Sequence, residues 1–196
     1  MITRKGILFV ISGPSGVGKG TVRSAVLPQV DDMQISISAT TRPPREGEID
    51  GQDYFFTTPA RFQQMIDNGE LLEWASVYGN LYGTPQDFVT AMLSQGNDVL
   101  LEIDIQGALQ VKKKMPAGVF IFISPPTVEE LSRRLCGRGN DSEQSIQIRL
   151  GACQEEMSHM KYYDYVVVND RIEDAVEKVR SIITAERCKR KNLNLE

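Results

Sequence analysis

The run Ile7-Leu8-Phe9-Val10-Ile11-Ser12-Gly13-Pro14-Ser15-Gly16-Val17-Gly18-Lys19-Gly20-Thr21 decides how the rest of the chain is read. Its apolar first half has the length and composition of a buried parallel strand, and beyond Lys19 the residues Val22, Ala25, Val26 and Leu27 recur at helical spacing. Between strand and helix lies a turn matching G-x-x-x-x-G-K, a phosphate-binding loop. Triphosphate oxygens must be met by several main-chain N–H groups at once, and glycine lets the backbone curl that closely without Cβ clashes. The helix start adds unpaired N–H groups and partial positive charge, and Lys19 reaches the outer phosphates. Gly13, Pro14, Ser15, Gly16, Val17, Gly18, Lys19, Gly20 and Thr21 are therefore the expected triphosphate contacts. The Ser or Thr that usually follows the lysine is Gly20, with Thr21 one place later. The hydroxyl commonly offered to Mg²⁺ is thus missing from its usual position, leaving phosphates, water or a distant carboxylate to hold the metal.

At 196 residues the chain can bury a real core as one α/β domain with small inserted lobes. With 22 Lys+Arg against 26 Asp+Glu, its charge gives no support for a nucleic-acid or membrane-surface partner. No apolar run approaches bilayer-crossing length and the N-terminus lacks a signal-like apolar segment, so a cytoplasmic protein is expected. Cys136, Cys153 and Cys188 show no C-x-x-C pairing and read as reduced, mostly packing residues; the single His159 reads as a helix-surface residue. No metal-ligand set is expected.

Along the chain, Met33 to Ser38 alternates like a half-exposed strand. It leads into Thr40-Thr41-Arg42-Pro43-Pro44-Arg45-Glu46-Gly47-Glu48, where the prolines stiffen a loop carrying Arg42 and Arg45, and Tyr54 returns on the next strand. A short helix from Pro59 to Asn68, capped by Thr58 and stopped at Gly69, precedes a hairpin turning at Gly79-Asn80. The stretch from about Ser36 to Thr84 is read as a mostly β insertion on the α/β core. A helix over Gln86 to Ser94 follows, then the strand Asp98 to Asp104, whose terminal acid is a Walker-B-like signal beside the phosphates. Further strands are expected over Gly118 to Ile123 and Tyr165 to Asp170. Helices are expected over Val128 to Leu135, with Thr127 and Glu130 as a capping box, and over Ile172 to Arg187. The arginine-studded stretch near Arg138, with Arg149 on a new helix, has the form of a closing lid, and residues 188–196 are expected to fray.

A second anion site is offered by the guanidinium forks of Arg42 and Arg45 with the hydroxyls of Tyr54 and Tyr82. A guanine base presents N1–H and N2–H₂ donors and an O6 acceptor, so its pocket needs carboxylates and hydroxyls; Glu73, Asp104, Ser38 and Thr84 are of those types.

The strings Ser12 to Thr21, Ser38 to Glu48 with Gly51-x-Asp-Tyr54, Tyr82-Gly-Thr84, Ile103-Asp-Ile-Gln-Gly107, Gly137-Arg-Gly139 and Val168-Asn-Asp170 together resemble the guanylate kinase family, from about Lys5 to Arg187. The resemblance implies a P-loop NTPase fold: a parallel β-sheet core flanked by helices, with a mostly β GMP-binding insertion and a helical lid. It implies a single domain over 5–187 (core 5–34, 86–127 and 160–187, GMP lobe 35–85, lid 128–159) and a tail over 188–196. It implies ATP and GMP as substrates, with dGMP a second acceptor, and Mg²⁺ as the cofactor; monomer and homo-oligomer both stay open. Ser38, Arg42, Arg45, Glu48, Tyr54, Glu73, Tyr82, Thr84 and Asp104 match the family's GMP-binding positions. Lys19 matches its phosphate-stabilising lysine, Arg138 and Arg149 its lid arginines, and Asn169 falls at the adenine end. Asn140 stands where the family often has Thr. Rival readings are an inactive binding module of this fold, a ribose-phosphate kinase, and a GTPase switch; the last lacks an Asn-Lys-x-Asp stretch.

Overall fold

The computed structural model describes residues 2–77, 79–136, 151 and 155–195. In chain order these form β1 (Ile2–Arg4), β2 (Leu8–Ser12), α1 (Lys19–Val26), β3 (Met33–Ile35), β4 (Ala39–Thr40), β5 (Phe55–Phe56), α2 (Pro59–Asp67), β6 (Leu71–Val77), β7 (Asn80–Pro85) and α3 (Gln86–Ser94). Then come β8 (Asp98–Glu102), α4 (Ile105–Lys114), β9 (Val119–Ser124), α5 (Val128–Cys136), β10 (Tyr165–Val168), α6 (Ile172–Arg187) and β11 (Leu193–Leu195).

The central sheet has the order β10-β9-β2-β8-β3, and each of its pairings is parallel. Strand β2 is fully buried and lies between β8 and β9. Alternation along β2 feeds two layers. Phe9 and Ile11 pack with Val22 and Val26 of α1 and Val179 and Ile183 of α6, whereas Leu8 and Val10 pack with Val89 of α3 and Ala108 and Val111 of α4. The chain leaves β2 toward β8 and β3 on one side and β9 and β10 on the other. The loop after β2 therefore opens at the switch point of a doubly wound sheet, where ligands of such sheets bind.

The insertion forms a second sheet, β5-β4-β7-β6, closed from below by α2 through Phe62, which packs on Ala39 and Leu71. Thr58 caps α2 by accepting the Arg61 N–H at 3.2 Å, as its position before Pro59 implies. Leu72 of β6 joins the α3–α4 core layer, so the inserted lobe is rooted in the main core.

Several expectations are corrected. The alternating run at Met33 is a strand only to Ile35, and it edges the central sheet by pairing with β8. Strand β8 stops at Glu102, because Asp104 leaves the sheet to cap α4 through the Gly107 N–H at 2.7 Å; the reading of the sequence contained no helix here. Only half of the capping box at α5 forms. Thr127 accepts the Glu130 N–H at 3.1 Å, while the Glu130 carboxylate turns to Arg134 at 2.8 Å. Cys188 is exposed rather than packed.

The C-terminal segment does not fray: β11 pairs antiparallel with β1. Arg4 and Arg187 reach the fully buried Asp98 at the start of β8, Arg187 Nε at 2.8 Å, and Asp98 also accepts the Ile7 N–H at 2.9 Å. Buried Glu186 accepts from the Tyr165 hydroxyl and from Lys189, and its carbonyl accepts from Asn192 at 2.8 Å. No helix among the described residues is long and apolar enough to cross a membrane.

Asp98→Ala strands two arginines and a backbone N–H, and is expected to lower stability by roughly 2–4 kcal/mol, the partial exposure of both arginines keeping it below a fully buried pair. Equilibrium urea unfolding checks this. The midpoint should fall with an unchanged slope, and an unmoved midpoint would show that β1, β8 and α6 are held together without Asp98.

Candidate functional site

Two glycines of the loop after β2, Gly13 and Gly18, answer local demands. A Cβ on Gly13, which sits at φ 145°, would collide with the Ile123 carbonyl oxygen of β9. Gly18, at φ 95°, caps α1 in the left-handed region, and a Cβ there would lie 2.7 Å from Asn169 Nδ2. That amide donates to the Val17 carbonyl at 2.9 Å. Asn169 is 5% exposed; its own N–H donates to Ser124 O at 2.8 Å and its carbonyl accepts from Arg134 at 2.8 Å. The side chain that the family resemblance sets at the adenine end braces the phosphate loop from beneath. It borders an open cleft of about 540 Å³ with Gly16, Gly18, Thr21, Arg134 and Ile172.

Lys19 Nζ folds back over the loop and donates to Gly13 O at 2.6 Å and Pro14 O at 3.0 Å. Burial pushes the Glu156 carboxyl above the usual range, against the pull of Lys19 and of the Ser15 backbone nearby. A protein carboxylate thus stands within electrostatic reach of the ammonium group that a polyphosphate would meet.

The carboxylate against α1 is Glu102, the last residue of β8, rather than Asp104. A Cβ on Gly20 would stand 3.4 Å from Glu102 Oε1, and Arg23, one turn along α1, pairs with Glu102 at 3.1 Å. These residues border a cleft of about 430 Å³ that continues to Ser36, Ser38 and Tyr54 of the lobe. Among the described residues no group of three or more His, Cys, Asp or Glu gathers as metal ligands. The donor set fits a cation that arrives on the phosphates of a nucleotide and meets Glu102 beside Gly20.

On the lobe, Arg42 donates to both oxygens of Glu48, at 2.7 and 2.9 Å, and to Pro43 O at 2.7 Å. Its guanidinium lies 5.4 Å from the Tyr54 ring centre, and Tyr54 meets Tyr82 edge to face at 6.0 Å. Glu48 also accepts the Arg45 N–H at 2.7 Å, and its hydrogen bonds from Arg42 first and from the Arg45 N–H next hold its carboxyl below the usual range. Glu48 thus orients Arg42. The Arg45 side chain is exposed at the loop tip, and Ser38 is half-buried at the lobe's entrance.

Glu73 of β6 is 4% exposed and accepts the Thr84 hydroxyl at 2.6 Å. Burial pushes its carboxyl up to about 7, against the pull of Thr84 and with a further push from Asp104. Asp104 and Glu73 thus stand within electrostatic reach of each other at the base of the lobe. Arg138 and Arg149 lie outside the described residues, as does most of the expected lid.

A guanylate kinase family profile matches residues 5–186. The chain belongs to the guanylate kinase family. It is 64% identical over 194 residues to a guanylate kinase of Syntrophomonas wolfei, covering 99% of this chain and 100% of that protein. It is 54% identical over 188 residues to a guanylate kinase of Caldanaerobacter subterraneus, covering 96% of this chain and 91% of that one. The crystal structure of guanylate kinase from Anaplasma phagocytophilum superposes with a TM-score of 0.81 at 36% identity, covering 98% and 92% of the two chains.

Within this guanylate kinase fold, Arg23, Glu102, Gly107 and Glu156 lie at the candidate site and the sequence reading passed over them as site residues. Arg23 was accessible from its i+4 spacing to Lys19 on one helix face. Glu156 carried no such signal, since its nearness to Lys19 is tertiary.

Asn169→Ala leaves the Val17 carbonyl unpaired beneath the loop. The expected result is a loss of about 1–3 kcal/mol in unfolding free energy and about tenfold weaker binding of inorganic tripolyphosphate by calorimetry. Unchanged tripolyphosphate affinity would show that the glycine turn keeps its shape unaided.

Proposed function

We propose that the protein transfers the γ-phosphoryl group of ATP to GMP, yielding ADP and GDP, with dGMP as a second acceptor. The observation that carries the reading is the buried Glu73 carboxylate, fixed by Thr84 in a lobe whose rim bears Arg42, Arg45, Tyr54 and Tyr82. Guanine offers that carboxylate two N–H donors, while adenine would leave it unpaired in a site built to be paired. The rim arginines and phenols supply the grip on the acceptor phosphate. A ribose-phosphate kinase would not need Glu73, and an inactive binding module would not need the phosphate loop.

An oxygen of the GMP phosphate attacks the γ-phosphorus in line as the bond to the β–γ bridging oxygen breaks, with no covalent enzyme intermediate. Lys19 and Arg42 hold the donor and acceptor phosphates and neutralise charge spread over the transferring group. Arg138 and Arg149 belong to the same proposal through their match to the family's lid arginines. Mg²⁺, carried with ATP, supplies further neutralisation of the phosphate oxygens, and Glu102 beside Gly20 is the protein carboxylate available to it. For the donor, Lys19 exchanges the loop carbonyls it holds for phosphate oxygens.

A coupled assay of ADP formation with GMP, AMP, UMP or ribose phosphates as acceptor tests the assignment, and preference for any acceptor other than GMP overturns it. Lys19→Ala should lower kcat by about 10²–10³, the size of one preorganised charge contact in the transition state. Turnover near the wild-type rate would remove Lys19 from that role. Because Glu73 must be ionised to accept from guanine, and protonates as pH falls through about 7, the KM for GMP should rise by roughly tenfold per pH unit below that point. Dividing by the KM of Glu73→Gln cancels the titration of the GMP phosphate. A flat ratio between pH 5.5 and 8 would sink this role for Glu73.

A further inference from the structure

Gly107 lies in the string Ile103-Asp104-Ile105-Gln106-Gly107, and its place in the fold gives it a purpose the phosphate chemistry leaves unused. It is buried in the first turn of α4, and its backbone is not in the left-handed region, so no dihedral demands glycine there. Glycine weakens a helix relative to alanine. The reason for its presence is space. A Cβ on Gly107 would fall inside contact distance of Glu73 Oε2, 3.0 Å from Glu73 Cδ and 3.4 Å from Asp104 Oδ1.

The helix cannot step aside to make that room. Gln110, one turn on, clamps both backbone groups of Trp74, donating to its carbonyl at 2.7 Å and accepting its N–H at 3.2 Å. Lys114, one turn further, donates to Leu71 O at 2.9 Å. Gly107, Gln110 and Lys114 make one stripe of α4 laid along β6. On its far side Glu73 is held by Thr84 of β7. The carboxylate is thus gripped between a hydroxyl and the bare flank of a helix turn.

We propose that Gly107 is a positioning residue for acceptor specificity: by lacking a side chain it lets α4 close on β6 and sets where the Glu73 carboxylate stands to meet a purine's N–H edge. The proposal rests on the GMP-kinase reading above. A methyl group at 107 pushes the Glu73 carboxylate off that edge without touching the phosphate loop, since Gln110 and Lys114 hold the next two turns of α4 on β6.

The test is a double-mutant cycle on steady-state kinetics with Gly107→Ala, Glu73→Asp and both together. Gly107→Ala should raise the KM for GMP by tenfold or more, with a smaller change in kcat and none in the KM for ATP, and should narrow the preference for GMP over AMP. Glu73→Asp withdraws the carboxylate by one methylene, so adding Gly107→Ala to it should raise the KM for GMP by less than threefold further. An unaltered KM for GMP in Gly107→Ala, or an equal penalty in both backgrounds, overturns the proposal, as does a parallel loss in the KM for ATP. If Gly107→Ala alone does not fold, the double variant decides: folded with the kinetics of Glu73→Asp supports the proposal, and unfolded overturns it. Wild-type protein that prefers another acceptor to GMP faults the underlying reading first, and the positioning role falls with it.

Discussion

The contact between Gly13 and the Ile123 carbonyl is the constraint on which the remaining architecture depends. Strand β9 passes so close to the end of β2 that no side chain fits between them. The chain must therefore leave the sheet through a curl that only glycine adopts there, and it enters α1 through Gly18 in the left-handed region. Asn169, arriving from the end of β10, ties that curl to the opposite strand through Val17. A loop of this shape is held from three strands at once, which is why it can stay open to solvent without collapsing.

Cationic groups of the cleft are parked on internal anions or carbonyls. Lys19 rests on Gly13 and Pro14, Arg23 on Glu102, and Arg42 on Glu48. The partner is in each case of the kind that a phosphate resembles. Phosphate binding on the proposed reading is therefore largely an exchange of one oxygen acceptor for another, a carbonyl at Lys19 and a carboxylate at Arg42, and its net strength is a difference between opposing terms. The exchange also keeps the arginine forks in defined rotamers, so less freedom is lost when a substrate replaces the internal partner.

How much of this was legible depended on the range of the interaction. Strand β2, the turn and α1 follow from adjacent residues, as do Thr58 before α2 and Thr127 before α5, since caps are local. The lobe's β character was readable from alternation and from the glycine turn at Gly79. Helix α4 was not, because Asp104 looked like a strand's last acid; only the tertiary fold shows it turning to cap the next helix. The pairing of β11 with β1 was hidden for a similar reason. A basic, polar terminus reads as frayed until the buried Asp98, far away in sequence, and the buried Glu186, at the end of α6, are seen to receive its neighbours. Glu102 was passed over for the sake of Asp104, although the last residue inside the strand is the one that faces the adjacent phosphate loop.

Glu73 shows how burial becomes selectivity. A carboxylate stripped of water is disfavoured in its charged form, and one hydroxyl from Thr84 compensates for only part of that loss. Were the site open to solvent, water would satisfy the carboxylate whichever base was present, and the difference between guanine and adenine would shrink to a hydrogen bond exchanged for another of similar strength. Enclosed between β7 and α4, the carboxylate has no such alternative: it is neutral, or it is charged and needs donors. A base with two N–H groups on that edge resolves the conflict, and a base with an acceptor there deepens it. The discrimination proposed for this protein then comes from the discomfort of the unfilled pocket as much as from the contacts in the filled one.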